Sequence, residues 1–548
     1  MRESRGPARG TGIGDASLVV RDARIYTGDP SKPWAEGLAC DGERILAVGE
    51  ERAVDRLTGA KTQILDAGGR LVLPGFIDAH VHLIWGYELG TWVDLTGRPS
   101  LEEVQRRVEA YATTHPDEEI ILGHGFDYAA LRATTLPDKR DLDSVIADRP
   151  VLLTAWDGHT GWGNSRFVER ACAAMDAVGR EIGEMQRDPA SREPTGILHR
   201  AFDVTGFLPE VHRRRSLVGL RQTVERASAA GITTAFDVQV NYEDLAAYAA
   251  LRKAGDLTVR VRAAIYHPAD TPRDRYPEFA DACRRYDDDW FRVAAIKLYI
   301  DGVQETKTAA LLEPYDNDPS TRGETVYDEA EFQGIVAELD RMGFQICTHA
   351  CGDRGVRIAL DAYERAARRN GTSGRRHRIE HDENLAAEDI QRFARLGVIP
   401  CMMPRHSSPE LTTRWREVVG PDRTRSAFPW RALVDAGAAL AFASDWPVAE
   451  LDPLVGIQEA VTRRTPDGAP SPHRLSIDEA IDCYTRRAAY ACRADDTRGT
   501  LTPRKYADLV ILSKDLFEIP RDRISEVRVL ETVVGGRSVY RAGGATKP

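Results

Sequence analysis

Two histidines that stand two residues apart, His80 and His82 in LPGFIDAHVHL, could bind one metal ion. On an extended strand, residues i and i+2 point to the same face, so both imidazoles can reach one cation. The alternative is a pair of ordinary histidines on a polar strand face. The rest of the segment is apolar and predicts a buried strand, where an unpartnered imidazole is costly. The pair therefore indicates a metal site.

Four more ionisable residues stand at the ends of later apolar runs: Lys297 in AAIKLYID, His349 in FQICTHA, His381 in HRIEH and Asp445 in ALAFASD. The two histidines could hold a second ion, although each alone could be a satisfied core residue. Asp445 suits a metal ligand that is also a base toward metal-bound water. An aspartate before Trp-Pro would equally suit a helix N-cap.

Lys297 is the unusual member of this set, because an ammonium among metal-binding groups would repel the cations. One interpretation pairs it with Asp301. In the other, its surroundings deprotonate the amine, as burial does for lysine. The neutral amine could then take up carbon dioxide and become a carbamate, an anionic oxygen ligand that can bridge two metals.

Eight apolar, β-rich runs with helical stretches between them must position these residues. They lie at 75–83, 231–237, 259–266, 294–301, 344–350, 377–381, 398–403 and 439–445. This pattern is typical of a parallel α/β fold, and eight strands suit a closed (β/α)8, TIM-like barrel. In such a barrel the C-terminal strand ends form the catalytic mouth, where the candidate ligands stand.

The remaining segments predict a small β-sandwich and an insertion. Strand-like runs with a DG turn at 41–42 fill residues 1–72, and similar runs with a GG turn fill 495–548. We expect these two segments to form one small antiparallel sandwich beside a hydrolase domain at 73–494. Within that domain, residues 86–225 are far longer than one helical connection, which predicts an insertion on the active-site side.

Composition narrows the class of function. The net charge of −11 and the mixed-charge runs argue against a nucleic-acid partner, and no apolar stretch approaches the length of a membrane span. The N-terminus lacks the apolar core of a signal peptide, so we expect a cytoplasmic protein with eight free thiols. Cys347 and Cys351 flank His349, and packing is the favoured role for both.

The chain resembles the amidohydrolase superfamily, and within it the branch that includes N-substituted formamide deformylase. The resemblance extends from ARIYTGDP to TPRKYADLVIL and rests on LPGFIDAHVHL, DGHTGWGNS, PTGILHR, KLYIDGVQETKTAALLEPY, THACGDRGV, RHRIEHDENL, ASDWPVAELDP and YTRRAAYA. One departure stands out: the stretch DGVQETKT after Lys297 is more polar than the small-residue run expected there. That departure bears on the shape of the pocket and leaves the ligands untouched.

The resemblance implies two divalent metal ions, with zinc the usual metal. His80, His82 and Asp445 would hold the first ion, His349 and His381 the second, and carboxylated Lys297 would bridge both, with a hydroxide between them. Asp445 would pass the hydroxide proton to the departing amine.

Substrate contacts are predicted separately from the metal ligands. His159 with Trp156 and Trp162 in the insertion, Arg354, Asp353, Arg378 and His406 form the candidate set for contacts to substrate or ligands. A packed loop is the alternative for His159 and the tryptophans.

The predicted function is hydrolysis of a non-peptide C–N bond in a small molecule, such as an N-substituted formamide, linear amide or related N-acyl amine. The alternatives are a cyclic amidase or deaminase of the same superfamily, and a catalytically inactive scaffold. Inactive relatives typically lose ligands, whereas all six candidate ligands are present here. A homodimer is a further possibility.

Overall fold

The computed structural model describes residues 15–89, 92–97, 100–127, 137–156, 158–178, 184–199, 217–372, 374–412, 415–465 and 467–543. The chain begins with five strands: β1 (Leu18–Tyr26), β2 (Trp34–Ala35), β3 (Gly37–Asp41), β4 (Arg44–Gly49) and β5 (Gln63–Pro74). Strands β3 and β4 form an antiparallel hairpin around Gly42, whose φ of 52° fits the predicted DG turn.

A parallel eight-stranded sheet follows, made of β6 (Phe76–Val81), β13 (Ile232–Val240), β14 (Arg260–Tyr266), β15 (Phe291–Tyr299), β16 (Gln345–Ala350), β17 (Arg378–His381), β18 (Ile399–Met402) and β19 (Ala441–Phe442). Each predicted apolar run overlaps one of these strands, and the strands pair in sequence order. The (β/α)8 barrel predicted from the sequence is therefore confirmed.

Hydrogen bonds across the seam between the first and last strands nearly close the sheet. The Asp445 amide donates to the His80 carbonyl at 2.9 Å, and the His82 amide donates to the Trp446 carbonyl at 2.9 Å. The buried Asp78 carboxylate accepts the Ser444 amide at 3.1 Å and also the Ser444 hydroxyl. The residues at this seam are therefore also those that carry the first candidate ligands.

The segment between β6 and β13 carries a sheet of its own. Its six strands are β7 (Val93–Asp94), β8 (Ile121–Phe126), β9 (Val151–Ala155), β10 (Thr160–Gly163), β11 (Glu184–Arg187) and β12 (Pro194–His199). Buried apolar side chains pack on both of its faces. This long segment is thus a folded unit, as expected of an insertion, although its predicted boundaries at 86 and 225 stay predictions.

The C-terminal strands β20 (Leu509–Leu512), β21 (Val529–Val534) and β22 (Arg537–Arg541) join the N-terminal strands in one sheet, through antiparallel pairing of β20 with β5. The GG turn at Gly535 and Gly536 connects β21 with β22, as predicted. One pairing differs from the expected antiparallel arrangement, because β1 runs parallel to β5. The two-layered sandwich itself stays a prediction.

Helices cover the outside of the barrel and fill the connections. The α-helices are Glu51–Asp55, Leu83–Leu89, Leu101–Thr114, Lys139–Asp143, Ser165–Val178, Leu217–Ala229, Leu245–Ala254, Tyr276–Arg285, Glu329–Arg341, Asp353–Asn370, Ala387–Leu396, Pro409–Thr412, Trp415–Val418, Gly420–Ser426, Trp430–Asp435, Pro453–Thr462, Ile477–Cys483 and Arg486–Ala491, and the short 3-10 helices are Tyr242–Asp244, Arg273–Arg275, Pro404–Ser407 and Arg521–Glu526. Within the described ranges, none of these helices is both long and apolar enough to cross a membrane.

Several alanines contribute to a buried cluster between the barrel strands and the helix near the C-terminus. Alanines from β6, β14, β15 and the segment around β19 pack against the C-terminal helix Arg486–Ala491. The chain enters the barrel at Gly75, where an added Cβ would lie 2.2 Å from the Thr233 side chain. A glycine is therefore required where β5 passes into β6.

A buried ion pair connects the barrel to the terminal sheet. Arg260 of β14 donates through Nε to Asp508 at 3.0 Å and through Nη2 to Glu43 at 3.2 Å. The Arg260 and Asp508 side chains are 0% and 3% exposed.

We expect Asp508→Asn to lower the free energy of unfolding by about 3–5 kcal/mol, since it leaves a buried guanidinium without its main counter-charge. Denaturant unfolding followed by circular dichroism measures this loss. The control is Glu526→Gln at the exposed Arg523–Glu526 pair, with an expected change of about 0–1 kcal/mol. Equal midpoints for the two variants would refute a structural role for the buried pair.

Candidate metal centre

The six candidate ligands lie together at the C-terminal end of the barrel strands. Four of them belong to strands or end them: His80 in β6, Lys297 in β15, His349 in β16 and His381 at the end of β17. His82 follows β6 by one residue and Asp445 follows β19 by three. All six are buried.

His80, His82 and Asp445 converge on one point. Asp445 Oδ1 lies 3.1 Å from His80 Nε2 and 3.0 Å from His82 Nε2. Two ligands about 2.0–2.1 Å from one zinc ion are separated by about 2.9–3.4 Å at octahedral to tetrahedral angles. These separations therefore fit a shared cation.

Unsatisfied polar atoms support the same conclusion. His80 Nε2 and Asp445 Oδ1 are completely buried, yet they face each other without hydrogen-bond geometry. Burial alone would raise the pKa of Asp445, but His80 and His82 hold it well below its usual range. An ionised carboxylate between two imidazole nitrogens is a suitable ligand set for a divalent metal.

A buried chain of hydrogen bonds fixes the orientation of His80. Its Nδ1 lies 2.7 Å from Glu380 Oε2, so the ring donates to the carboxylate and turns Nε2 toward Asp445. Arg378 donates to both oxygens of Glu380, at 2.8 and 2.9 Å, and to the Ala79 carbonyl at 2.6 Å. Metal-binding histidines commonly carry a carboxylate on their second nitrogen in this way.

A second group of ligand atoms is formed by His349, Cys351 and His381. His349 Nε2 lies 3.1 Å from the Gly302 carbonyl, so an Nε2 proton donated there leaves Nδ1 as the free ligand atom. Cys351 Sγ lies 3.5 Å from the same Nε2, on the side that faces the carbonyl. This favours the packing role expected for Cys351. Burial holds the pKa of both His349 and His381 well below the usual range.

Lys297 lies close to His80, His349 and His381 but makes no hydrogen bond through Nζ to any described residue. Its expected alternative partner, Asp301, instead accepts the backbone amides of Ala310, Cys351 and Gly352. Burial lowers the pKa of Lys297, and this effect outweighs the carboxylates of Glu380 and Asp445, which raise it. The interpretation of Lys297 as the partner of Asp301 is therefore wrong.

The backbone at two of the ligand positions is strained. His381 has φ of 79° and Asp445 has φ of 58°, in the left-handed region that side chains other than glycine avoid. Such conformations cost about 1–3 kcal/mol and persist where the surroundings impose them, typically at functional sites. The N-cap interpretation of Asp445 also fails, because the next helix begins at Pro453 and is capped by Asp452.

A cavity opens beside the ligands at the barrel mouth. It is lined by His349, His381 and Asp445 together with Trp156, His159, Val303, Glu305, Cys351, Glu383, His406, Trp415 and Val448. The His159 ring lies 5.3 Å from the His349 ring, so the insertion does reach over the site. His406 contacts both Asp445, at 3.6 Å, and Glu383, at 3.5 Å.

Four residues of the predicted contact set lie away from the cavity. Trp162 is fully buried in the core of the insertion and donates to the Asp138 carbonyl. Arg354 pairs with Glu329 on the surface, and Asp353 accepts the Leu312 amide. Arg378 lies in the barrel interior, where it supports Glu380.

Several site residues were not identified from the sequence. Glu380 stands inside the quoted HRIEH motif, and its position two residues after Arg378 on one strand was the available signal. Glu305 belongs to the polar stretch DGVQETKT, and its carboxylate accepts the Trp415 indole N–H at 2.7 Å. That stretch therefore does shape the cavity, as its departure from the expected pattern suggested. Glu383 and Trp415 carried no recognisable signal.

Comparison with known proteins gives the family. The model of an amidohydrolase family matches residues 63–540. The protein LONG AFTER FAR-RED 3 of Arabidopsis thaliana is 30% identical over 545 residues, covering 96% of this chain and 92% of its own. The N-substituted formamide deformylase of Arthrobacter pascens is 27% identical, over 96% of this chain and 99% of its own.

A solved structure shares the whole architecture. An uncharacterized metal-dependent hydrolase from Pyrococcus furiosus matches with a TM-score of 0.69 and 27% identity, covering 91% of this chain and 99% of that one. The barrel and the family match agree with the resemblance derived from the motifs. The chain belongs to the amidohydrolase family and is a hydrolase that acts on carbon–nitrogen bonds.

Proposed function

We propose that the protein is a binuclear metal hydrolase that cleaves a linear C–N bond in a small molecule, such as an N-substituted formamide or related N-acyl amine. The observation that carries this proposal is the convergence of two imidazole nitrogens on Asp445 Oδ1, at 3.1 and 3.0 Å. The names of the Pyrococcus and Arthrobacter relatives support the metal dependence and the bond class respectively.

The donor set fits zinc. His80, His82 and Asp445 would hold one ion, and His349 and His381 the other, with a carboxylated Lys297 shared between them. Imidazole and carboxylate donors suit zinc. When bound, such ions polarise a carbonyl and lower the pKa of water to near neutrality.

Carboxylation of Lys297 agrees with the local chemistry. Its amine is fully buried and lacks a hydrogen-bond partner among the described residues, and burial favours the neutral form that reacts with carbon dioxide. The new C–N bond forms as the amine loses a proton, and the product carries one negative charge. That charge offsets part of the positive charge of two cations.

Asp445 and the residues around the ligands have separate roles in the proposed reaction. Asp445 is placed to take a proton from the attacking water and to return it to the departing amine nitrogen. His406, within 3.6 Å of Asp445, and His159, above His349, are positioned to contact the substrate. Trp156 and Trp415 exclude water from the cavity walls.

Removal of metal tests the proposal directly. The purified protein is expected to hold divalent metal by elemental analysis. Prolonged chelation should abolish hydrolysis of N-formyl amines, and added zinc should restore it. A substrate panel should also contain N-acyl amino acids and cyclic imides, because preferred cleavage of a cyclic imide would contradict the linear-substrate assignment. A folded, metal-free protein with undiminished hydrolysis would exclude the enzyme mechanism.

Replacement of Lys297 tests the carbamate. We expect Lys297→Ala to lose bound metal and at least 100-fold in kcat, as for removal of a group that stabilises the transition state by about 3 kcal/mol. A small carboxylic acid should partly rescue it, by supplying the missing oxygen donors. Lys253→Ala, at an exposed position of the helix Leu245–Ala254, is the matched control. Full metal content and activity in Lys297→Ala would rule out the bridge.

Glu380→Gln tests the support of His80. The amide cannot match the ionised acceptor, and it leaves Arg378 without its counter-charge, so zinc affinity should fall about 10–100-fold. Competition with a chromophoric chelator measures this, and circular dichroism checks the fold. Glu388→Gln, at an exposed pair with Arg357, should bind zinc normally. Unchanged affinity in Glu380→Gln would show that the carboxylate only supports the fold.

A further inference from the structure

Three arginines lie buried at the opposite end of the barrel from the metal centre. Arg260 and Arg262 stand on β14, and Arg498 follows the helix Arg486–Ala491 that packs beneath the barrel. Their exposures are 0%, 1% and 2%. Three fully buried guanidinium groups require compensating negative charge.

Of the three, Arg260 alone forms an ion pair with a carboxylate of a described residue. Arg260 binds Asp508 and Glu43. For Arg262 and Arg498, no carboxylate oxygen of a described residue lies within 4.0 Å. Arg262 donates through Nη1 to the Asp288 carbonyl at 3.5 Å, and Arg498 donates through Nη1 to Thr234 Oγ1 at 3.3 Å.

Buried donors of both arginines remain available. Nε of Arg262, and Nε and Nη2 of Arg498, are inaccessible to solvent and make no hydrogen bond to the described part of the protein. A buried N–H without an acceptor costs about 1–3 kcal/mol, and more when the group is charged. These open donors therefore indicate an acceptor between or beside the two side chains.

The acidic residues that precede β15 form their hydrogen bonds and ion pairs with other groups, so Asp289 acts on Arg262 and Arg498, and Asp508 on Arg498, only from beyond 4.0 Å. Their partners are Arg292 for Asp287, Arg252 for Asp288, and Tyr506 together with Arg44 for Asp289. Asp508 also accepts the Gly535 amide at 2.7 Å, in addition to Arg260.

Cys492 is the other candidate for negative charge, since it lies close to Arg262, Arg498 and Arg378. Burial nevertheless raises the pKa of its thiol to about 11, in spite of these three guanidinium groups. The thiol is therefore neutral near pH 7 and offers neither arginine a negative charge at close range.

We propose that Arg262 and Arg498 together bind a small inorganic monoanion such as chloride at the base of the barrel. The two guanidinium groups repel each other in the low-dielectric interior. A bound anion reduces this repulsion and accepts hydrogen bonds from the N–H groups that lack a partner. Because Arg498 stands between the barrel helix and β20, the bound anion stabilises the contact of the barrel with the C-terminal segment. The site is separate from the chemistry at the mouth.

Thermal unfolding in different anions tests this site at constant ionic strength. The midpoint should rise by about 1–3 °C when chloride or bromide replaces gluconate, which is too large to enter, and the rise should saturate with concentration. Arg498→Met should lose this dependence, whereas Arg523→Met, at an exposed pair, should keep it. The same anion dependence in wild type and Arg498→Met, or none in wild type, would overturn the proposal.

If Arg498→Met does not fold, bromide crystallography of the wild-type protein tests the anion site instead. Crystals of the wild-type protein grown with bromide should show an anomalous peak within hydrogen-bond distance of both guanidinium groups. Density for water alone at that position, with no anomalous peak, would refute an anion site. Neither measurement depends on metal content or hydrolytic activity.

Discussion

The candidate metal centre depends on the interactions of one buried carboxylate, that of Glu380. Its Oε1 accepts a hydrogen bond from Arg378, and its Oε2 accepts both a second hydrogen bond from Arg378 and the Nδ1 proton of His80. Unpaired, a guanidinium at this depth would be strongly destabilising, and so would the carboxylate. Together they form a neutral support within the barrel that aims one imidazole nitrogen at the centre. The Arg378 guanidinium also packs over the Phe236 ring, 4.6 Å from its centroid.

The same strands that bring the ligands together also close the barrel. The first and last strands meet through backbone bonds at His80, His82 and Asp445, and through the Asp78–Ser444 contact. Ligand geometry and barrel closure are therefore one constraint: a shift of the last strand that opened the seam would also separate Asp445 from both histidines. The left-handed backbone at Asp445 is tolerated because these bonds hold it.

The eight strands and the grouping of the six candidate ligands could be predicted because both follow from local pattern. Apolar runs mark the strands, and in a parallel barrel all strand ends face one mouth. Glu380 was missed because its role depends on a contact with His80, three hundred positions earlier. The parallel pairing of β1 with β5 was missed for the same reason, since register between distant strands is set by tertiary packing. Trp162 shows the opposite error. Its place in a recognisable motif suggested a substrate contact, but the side chain packs in the core of the insertion.

One wall of the cavity is positioned by the packing of Gly158 against Trp85. Gly158, with φ of 73°, lies so close to Trp85 that an added Cβ would meet its ring at 2.3 Å. The Trp85 ring in turn packs against His82, at 5.4 Å. The loop that carries His159 thus packs against the helix Leu83–Leu89, which follows the first candidate ligands, although the loop belongs to a separate sheet. The contact of Gly158 with Trp85, and of Trp85 with His82, therefore ties the insertion to the candidate ligands through packing.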